Sequence, residues 1–137
     1  MTDPVAQPMS GRTPPAITER NAAFWTGGAN GELLIARCQS CGWWLHPPMP
    51  ACPRCRGRDV RPEVTSGRGT VWSYTINRYP WSPGLQPPYV VAEVELVEQS
   101  GLRLLTSVVD CEDVTIGLPV RVRFEPAGDA WVPVFAP

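Results

Sequence analysis

Residues 38–55 read CQSCGWWLHPPMPACPRC and contain four cysteines in two pairs, with two residues inside each pair. A Cys-x-x-Cys pair can direct both sulfurs to one side of a tight turn, so two facing turns offer four thiolates in a tetrahedron. Zinc accepts this geometry because it has no electronic preference of its own. The spacing therefore predicts a structural metal site with zinc as the expected ion. Its predicted ligands are Cys38, Cys41, Cys52 and Cys55.

Other chemistries at these cysteines stay open at the level of the sequence. A redox dithiol would need one exposed pair beside a βαβ unit, and the flanking sequence shows no such unit. Iron can replace zinc, because four sulfurs in a tetrahedron suit both metals. A catalytic zinc needs an open coordination position, and four thiolates close the sphere unless His46 displaces one of them.

The composition of the chain narrows the classes of protein to consider. Its 137 residues suit one domain, or a small module attached to a modest one. A formal net charge of −1 supplies no global positive field for nucleic acid or an anionic membrane. The sequence has no apolar run as long as a spanning helix and no recognisable signal peptide, so a cytoplasmic protein is expected. A reducing cytosol favours metal binding over disulfides.

Two segments precede the cysteine stretch. Residues 1–15 are rich in proline and poor in bulky apolar groups, which predicts a disordered tail. Residues 16–30 are predicted to form a short helix, with Thr18 as N-cap and with Phe24 and Trp25 on its apolar side. Because so short a helix is marginal alone, it must pack against its own chain or against a partner subunit.

The rest of the chain has the period of β-strands. The metal-binding ribbon is expected to span residues 31–64 and to begin with a strand. Further strands are predicted at residues 67–80, 89–98, 102–110, 118–126 and 130–137. Five short strands without helices indicate a small closed or partly open β-barrel over residues 65–137.

The order of these motifs is also found in a known protein family. The pieces are FW at residues 24–25, then GELLIARCQSCG, HPPMPACPRC, GRGTVWSYT, PPYVVAEVEL, RLLTSVVDC and IGLPVRVRFE. Together they span residues 16–135, and their order resembles the zinc-ribbon plus OB-fold family of acyl-CoA-associated proteins. The resemblance implies a mainly β fold with a short N-terminal helix, a rubredoxin-like zinc ribbon and a C-terminal five-stranded OB-fold barrel. One departure is Met49, where many relatives carry arginine.

The resemblance also implies a function. Members of this family are accessory subunits of thiolase-superfamily enzymes, and one branch partners a retro-aldolase that shortens steroid side chains as CoA thioesters. The expected protein is therefore a non-catalytic zinc-binding subunit that binds such a partner in a hetero-oligomer and supports its acyl-CoA chemistry. The alternative is an acyl-CoA-binding or channelling module for another thiolase or for a hydratase.

Eight residues outside the metal site are predicted to contact the partner or CoA. A run of arginines suits phosphate groups, although a solvated surface beside acidic residues explains the same pattern. Aromatic residues flank a stiff proline-rich loop, where a low ordering cost favours an interface; packing on the chain's own barrel is the alternative. The candidates are Phe24, Trp25, Arg54, Arg56, Arg58, Tyr79, Trp81 and Tyr89.

Independent catalysis and nucleic-acid binding find less support in the sequence. Catalysis needs an acid, a base or a nucleophile in a pocket, and the single histidine, His46, lies between the cysteine pairs beside two prolines. Glu93 and Glu95 share a strand face, as alternating polar positions on a half-exposed strand do. Single-stranded nucleic acid needs a positive groove, which the near-neutral charge does not indicate. No catalytic residue is assigned.

Overall fold

Along the chain, a short helix and a three-stranded ribbon precede a closed five-stranded barrel. The structure is a computed structural model that describes residues 12–81 and 84–137. The strands are β1 (Leu34–Cys38), β2 (Trp44–Leu45), β3 (Val60–Val64), β4 (Arg68–Asn77), β5 (Tyr89–Leu96), β6 (Arg103–Val108), β7 (Pro119–Ala127) and β8 (Ala130–Ala136). Within the described ranges, the only α-helix, α1 (Ala22–Thr26), is far too short to cross a bilayer.

The N-terminal helix is shorter than the sequence predicts. A single α-helical turn at Ala22–Thr26 is followed by a 3₁₀ turn at Gly27–Asn30. The N-cap is Asn21, so the assignment of Thr18 to that position was wrong. The amide of Thr18 donates to Asn21 Oδ1 at 2.7 Å, and the amide of Asn21 donates to Thr18 Oγ1 at 3.3 Å. This exchange offers the backbone a turn in place of a helix.

The helical segment packs on the chain's own barrel. Phe24 adjoins the barrel core, and Trp25 adjoins a buried cluster centred on β8. Gly28 makes this approach possible, because a Cβ there would lie 2.5 Å from Phe124 Cδ1 and from Trp131 Cβ. The sequence left open whether this helix packs against its own chain or against a partner subunit. The structure shows it packed against the chain's own barrel.

The predicted tail divides into two parts. Residues 1–11 lie outside the described residues, so the prediction of disorder is not tested there. Arg12 lies against the barrel, where its Nη2 pairs with Glu125 Oε1 at 3.2 Å. The described end of the tail therefore contacts β7 through this ion pair.

The ribbon sheet is antiparallel, with β1 between β2 and β3. β1 pairs with β3 from Leu34 opposite Val64 to Cys38 opposite Val60. On its other side Arg37 lies opposite Trp44. This register places Cys38 at the end of the sheet that is nearest to the second cysteine pair.

The barrel has the strand order β4-β5-β6-β8-β7. Each of the five predicted strands is present, with ends shifted by at most three residues. The mainly β fold is therefore confirmed. Buried residues alternate along β5, and they meet Phe135 of β8, which is fully buried. Leu33, Ile35 and Trp44 of the ribbon belong to the same hydrophobic cluster, so the ribbon and the barrel share one core.

Candidate metal centre and neighbouring grooves

The first cysteine turn is closed by backbone hydrogen bonds. The amide of Gly42 donates to the carbonyl of Cys38 at 2.9 Å, and the amide of Cys38 donates to the carbonyl of Trp43 at 2.8 Å. Gly42 has a φ of 80°, a left-handed conformation that glycine adopts without steric cost. The chain thus reverses directly after Cys41 and returns as β2.

The second cysteine turn repeats the same hydrogen bonds. The amide of Arg56 donates to the carbonyl of Cys52 at 2.9 Å, and the amide of Cys52 donates to the carbonyl of Gly57 at 2.8 Å. Arg56 stands where the first turn has Gly42 and also has a left-handed φ, 64°. The local backbone at this arginine is therefore fixed by the turn, and its side chain is exposed.

The four sulfurs are close enough to share one ion. Cys38 Sγ lies 3.5 Å from Cys55 Sγ, and Cys41 Sγ lies 3.7 Å from Cys52 Sγ. All four sulfurs lie within 4.8 Å of one another. A tetrahedral ion with metal–sulfur bonds of about 2.3 Å requires sulfurs about 3.8 Å apart, whereas a disulfide requires about 2.0 Å. The arrangement is a structural metal site with a closed set of four thiolates.

Backbone amides stabilise the thiolate form of some of these cysteines more than that of others. The amide of Cys41, followed by that of Ser40, lowers the pKa of the Cys38 thiol to about 6 against the effect of burial. At Cys55 the Gly57 amide lowers the pKa, but the three other thiols outweigh it and raise the pKa to about 11. Four thiolates repel one another in so small a volume, and a bound cation removes that penalty.

His46 lies outside the sulfur cluster. Its ring is 4.7 Å from the ring of Phe24, between the ribbon and the helical segment. Burial lowers the pKa of His46, so the imidazole is neutral at neutral pH. The structure thus uses this histidine as a packing group beside Phe24, and the possibility that it replaces a cysteine finds no support.

The side chain of Gln99 fastens the ribbon to the barrel. Its Nε2 donates to the carbonyl of Trp44 at 2.9 Å, and its Oε1 accepts from the amide of Trp44 at 2.9 Å. The amide and the carbonyl of Trp44 therefore both have a hydrogen-bond partner in the barrel. No local pattern predicts this contact, because Gln99 lies in a turn 55 residues after Trp44.

Replacing Gln99 with alanine is expected to lower the free energy of unfolding by about 1–3 kcal/mol, because the partly buried amide and carbonyl of Trp44 lose their hydrogen-bond partner. Urea unfolding of the metal-bound protein measures the loss. Gln86→Ala is the matched control, since Gln86 is exposed and such changes stay within about 0.5 kcal/mol. Equal losses for the two variants would show that the contact with Trp44 adds no stability.

Two grooves border the ribbon. The ribbon groove, about 500 Å³, lies between the ribbon and the helical segment, with Arg20, Arg58 and Arg61 among its lining residues. The helix groove, about 740 Å³ and mainly apolar, runs between the helical segment and β5, β6 and β8. Phe24 contributes to both grooves.

The eight predicted contact residues fall into four places. Phe24, Trp25 and Tyr89 line the helix groove, where Tyr89 is buried, and Arg58 lines the ribbon groove. Arg54 stacks over Trp43 at 4.7 Å, close to exposed Arg56 on the second cysteine turn. Tyr79 and Trp81 are 61% and 71% exposed, and their rings lie 4.8 Å apart. The eight residues do not form one site, and their role in binding stays a prediction.

Comparison with known proteins identifies both parts of the chain. The family model for the ChsH2 rubredoxin-like zinc ribbon domain matches residues 25–61, and the model for the ChsH2 C-terminal OB-fold domain matches residues 63–125. A DUF35 domain-containing scaffold protein of Methanocaldococcus jannaschii is 38% identical over 96 residues, 67% of each chain. The chain belongs to the ChsH2 (DUF35) family. The resemblance drawn from the motif order is confirmed.

Two further similar proteins are a curated hydratase subunit and a chain of a solved aldolase structure. The 3-oxo-4,17-pregnadiene-20-carboxyl-CoA hydratase alpha subunit of Mycobacterium tuberculosis is 38% identical over 125 residues, 87% of this chain. The chain spans about two fifths of the length of the curated hydratase subunits that it matches. A solved Ltp2-ChsH2(DUF35) aldolase chain is 37% identical with a TM-score of 0.81, and the match covers 90% of this chain and 98% of that one.

Proposed function

We propose that this ChsH2-family chain is a non-catalytic, zinc-binding accessory subunit of a thiolase-superfamily partner. The partner in this proposal is a retro-aldolase that shortens steroid side chains as CoA thioesters. One observation carries the proposal: the Ltp2-ChsH2(DUF35) aldolase, named for two proteins, contains a chain that this one matches over 98% of its length. The hydratase subunit of M. tuberculosis, which is named for a CoA thioester of a steroid, supports the substrate class.

The metal in this proposal is zinc, held by Cys38, Cys41, Cys52 and Cys55. The closed set of four sulfurs and the match to a zinc ribbon domain support this ion. Its part is structural, since four thiolates leave no position for a substrate or a water molecule. Elemental analysis distinguishes zinc from iron, and a red colour of the purified protein would point to iron.

A non-catalytic role is supported by the surroundings of the one histidine. His46 packs against Phe24, and burial lowers its pKa. The DUF35 domain-containing scaffold protein of Methanocaldococcus jannaschii, 38% identical over 96 residues, supports the same role. The partner then supplies the groups that react, and this chain supplies a rigid surface.

Acyl-CoA binding by this chain itself is the second candidate function. The ribbon groove favours it, because Arg20, Arg58 and Arg61 surround a cavity with Phe24 on its wall. Guanidinium groups suit phosphates, and an aromatic ring suits adenine. Titration calorimetry with CoA, compared between the unmodified chain and Arg58→Ala, tests this function without the partner.

Co-expression with an Ltp2-like thiolase-superfamily protein tests the main proposal. We expect the two proteins to purify together through a tag on either one, and the aldolase activity to require both. Omission of this chain is expected to lower the activity of the partner at least about tenfold, which corresponds to about 1.4 kcal/mol. Failure to co-purify, together with a partner that is fully active alone, would contradict an accessory role.

A further inference from the structure

The second half of β4 is an open strand edge. β4 pairs with β7 only from Arg68 to Thr70, whereas its pairing with β5 continues to Asn77. Next along the strand, Val71 exchanges two backbone hydrogen bonds with the segment before β7. Among the described strands, residues 73–77 pair with β5 alone, and Trp72 is the bulged residue between Val71 and Ser73. Alternate backbone amides and carbonyls of this segment therefore point away from the sheet, as they do along any edge strand.

This edge lacks the features that normally protect an open strand. Residues 72–77 read WSYTIN, without a charged residue or a proline. The large side chains of Trp72, Tyr74 and Ile76 are exposed. Charges, prolines and short lengths usually keep such edges from pairing with other chains. A bulge between Val71 and Ser73 is the one protective feature present, and it lies at the start of the segment.

Tyr74 and Ile76 lie on the core side of the sheet. They are opposite Ala92 and Val90 of β5, both buried, and cross-strand neighbours share a face. Their exposure arises because β7 ends its pairing before it reaches them. A strand placed beside residues 72–77 would continue the sheet and cover both side chains.

The charged residues near this edge indicate which charges a complementary strand would have. Arg78 follows the uncharged segment directly, and Arg68 and Arg121 lie opposite each other near its other end. All three are exposed, and none is within ion-pair distance of a carboxylate in the part of the chain that the structure describes. An extended segment with an apolar centre and acidic ends complements this pattern. A second copy of the chain would bring arginines to arginines instead.

We infer that residues 72–77 of β4 bind an extended segment of the partner enzyme, with an apolar centre and acidic ends, which adds a strand to the barrel sheet. Backbone hydrogen bonds would supply affinity, and pockets beside Trp72, Tyr74 and Ile76 would select the side chains. This inference rests on the proposed accessory role, and it assigns the surface through which that role is exerted.

Amide hydrogen exchange of the free chain and of its complex with the Ltp2-like protein is the direct test. Strand addition is expected to slow exchange at the outward amides of residues 72–77 at least tenfold. Slowing that depends on the concentration of the free chain would mean that a second copy fills the edge, which overturns the inference. If no complex forms, the proposed function and this inference both fail. If a complex forms with unchanged exchange at the edge, this inference alone fails.

Three lysine substitutions at exposed apolar residues locate the surface independently. Ile76→Lys places a charge where the added strand would cover it, and we expect at least tenfold weaker binding of the partner. Val64→Lys, on β3 of the ribbon, is the matched control and is expected to stay within twofold of the unmodified chain. Leu105→Lys places a charge on the helix groove, which Leu105 lines. A larger loss for Leu105→Lys than for Ile76→Lys would assign docking to the helix groove and overturn the inference.

Discussion

Replacing Cys52 with serine is expected to abolish metal binding and to leave residues 34–64 without a fixed fold. Cys52 is buried, and its Sγ lies 3.7 Å from that of Cys41. A serine hydroxyl is a far weaker ligand than a thiolate, so the closed set of donors is broken. Structural zinc contributes on the order of 10–16 kcal/mol in small peptides, which is as large as the whole stability of a typical domain.

Metal content by elemental analysis and amide exchange across the ribbon measure this loss. Cys111→Ser is the matched control, since it makes the same chemical change at a buried cysteine in the barrel core, outside the sulfur cluster. We expect Cys111→Ser to keep its full metal content. A Cys52→Ser protein that keeps its metal, or whose ribbon amides stay as protected as before, would contradict the structural role of the site.

Loss of the metal is expected to reach the barrel as well. Leu33, Ile35 and Trp44 close one side of the barrel core. If the ribbon loses its fold, these side chains leave that core and expose the apolar surface beneath them. If the partner docks on β4 as proposed, the metal supports that docking indirectly, because it holds the ribbon residues that complete the barrel core.

Local patterns made the cysteine site and the barrel strands predictable. The positions of Cys38 and Cys41 within one turn follow from their spacing alone, and the same holds for the second pair. Along β5, alternation of apolar and polar residues gave the buried face directly, because a strand has a period of two. Both features depend on residues that are close in the chain.

Features that depend on distant residues were not predictable. The open edge of β4 exists because the register pairs Thr70 with Pro119 at the start of β7, and no pattern in β4 itself reveals where that partner begins. The link from Gln99 to Trp44 has the same origin, since a glutamine in a turn is ordinarily solvated. The late start of α1 is different: Thr18 and Asn21 are close in sequence, but their side chains compete with the helix for backbone amides.

Trp44→Ala is expected to lower the free energy of unfolding by about 3–5 kcal/mol, the range for removal of a buried aromatic side chain. Trp44 is 7% exposed, lies in the core shared by the ribbon and the barrel, and has the guanidinium of Arg37 over its ring at 4.6 Å. Urea unfolding of the metal-bound protein measures the loss.

Trp43→Ala provides the comparison for this prediction, since the two tryptophans are adjacent and receive the same change. Trp43 packs on the small cluster of the ribbon, and its ring meets the exposed guanidinium of Arg54, a contact of about 0.5–1 kcal/mol. We therefore expect a clearly smaller loss than for Trp44→Ala. Equal losses would mean that the hydrogen bonds of Gln99, rather than a shared core, hold the ribbon against the barrel.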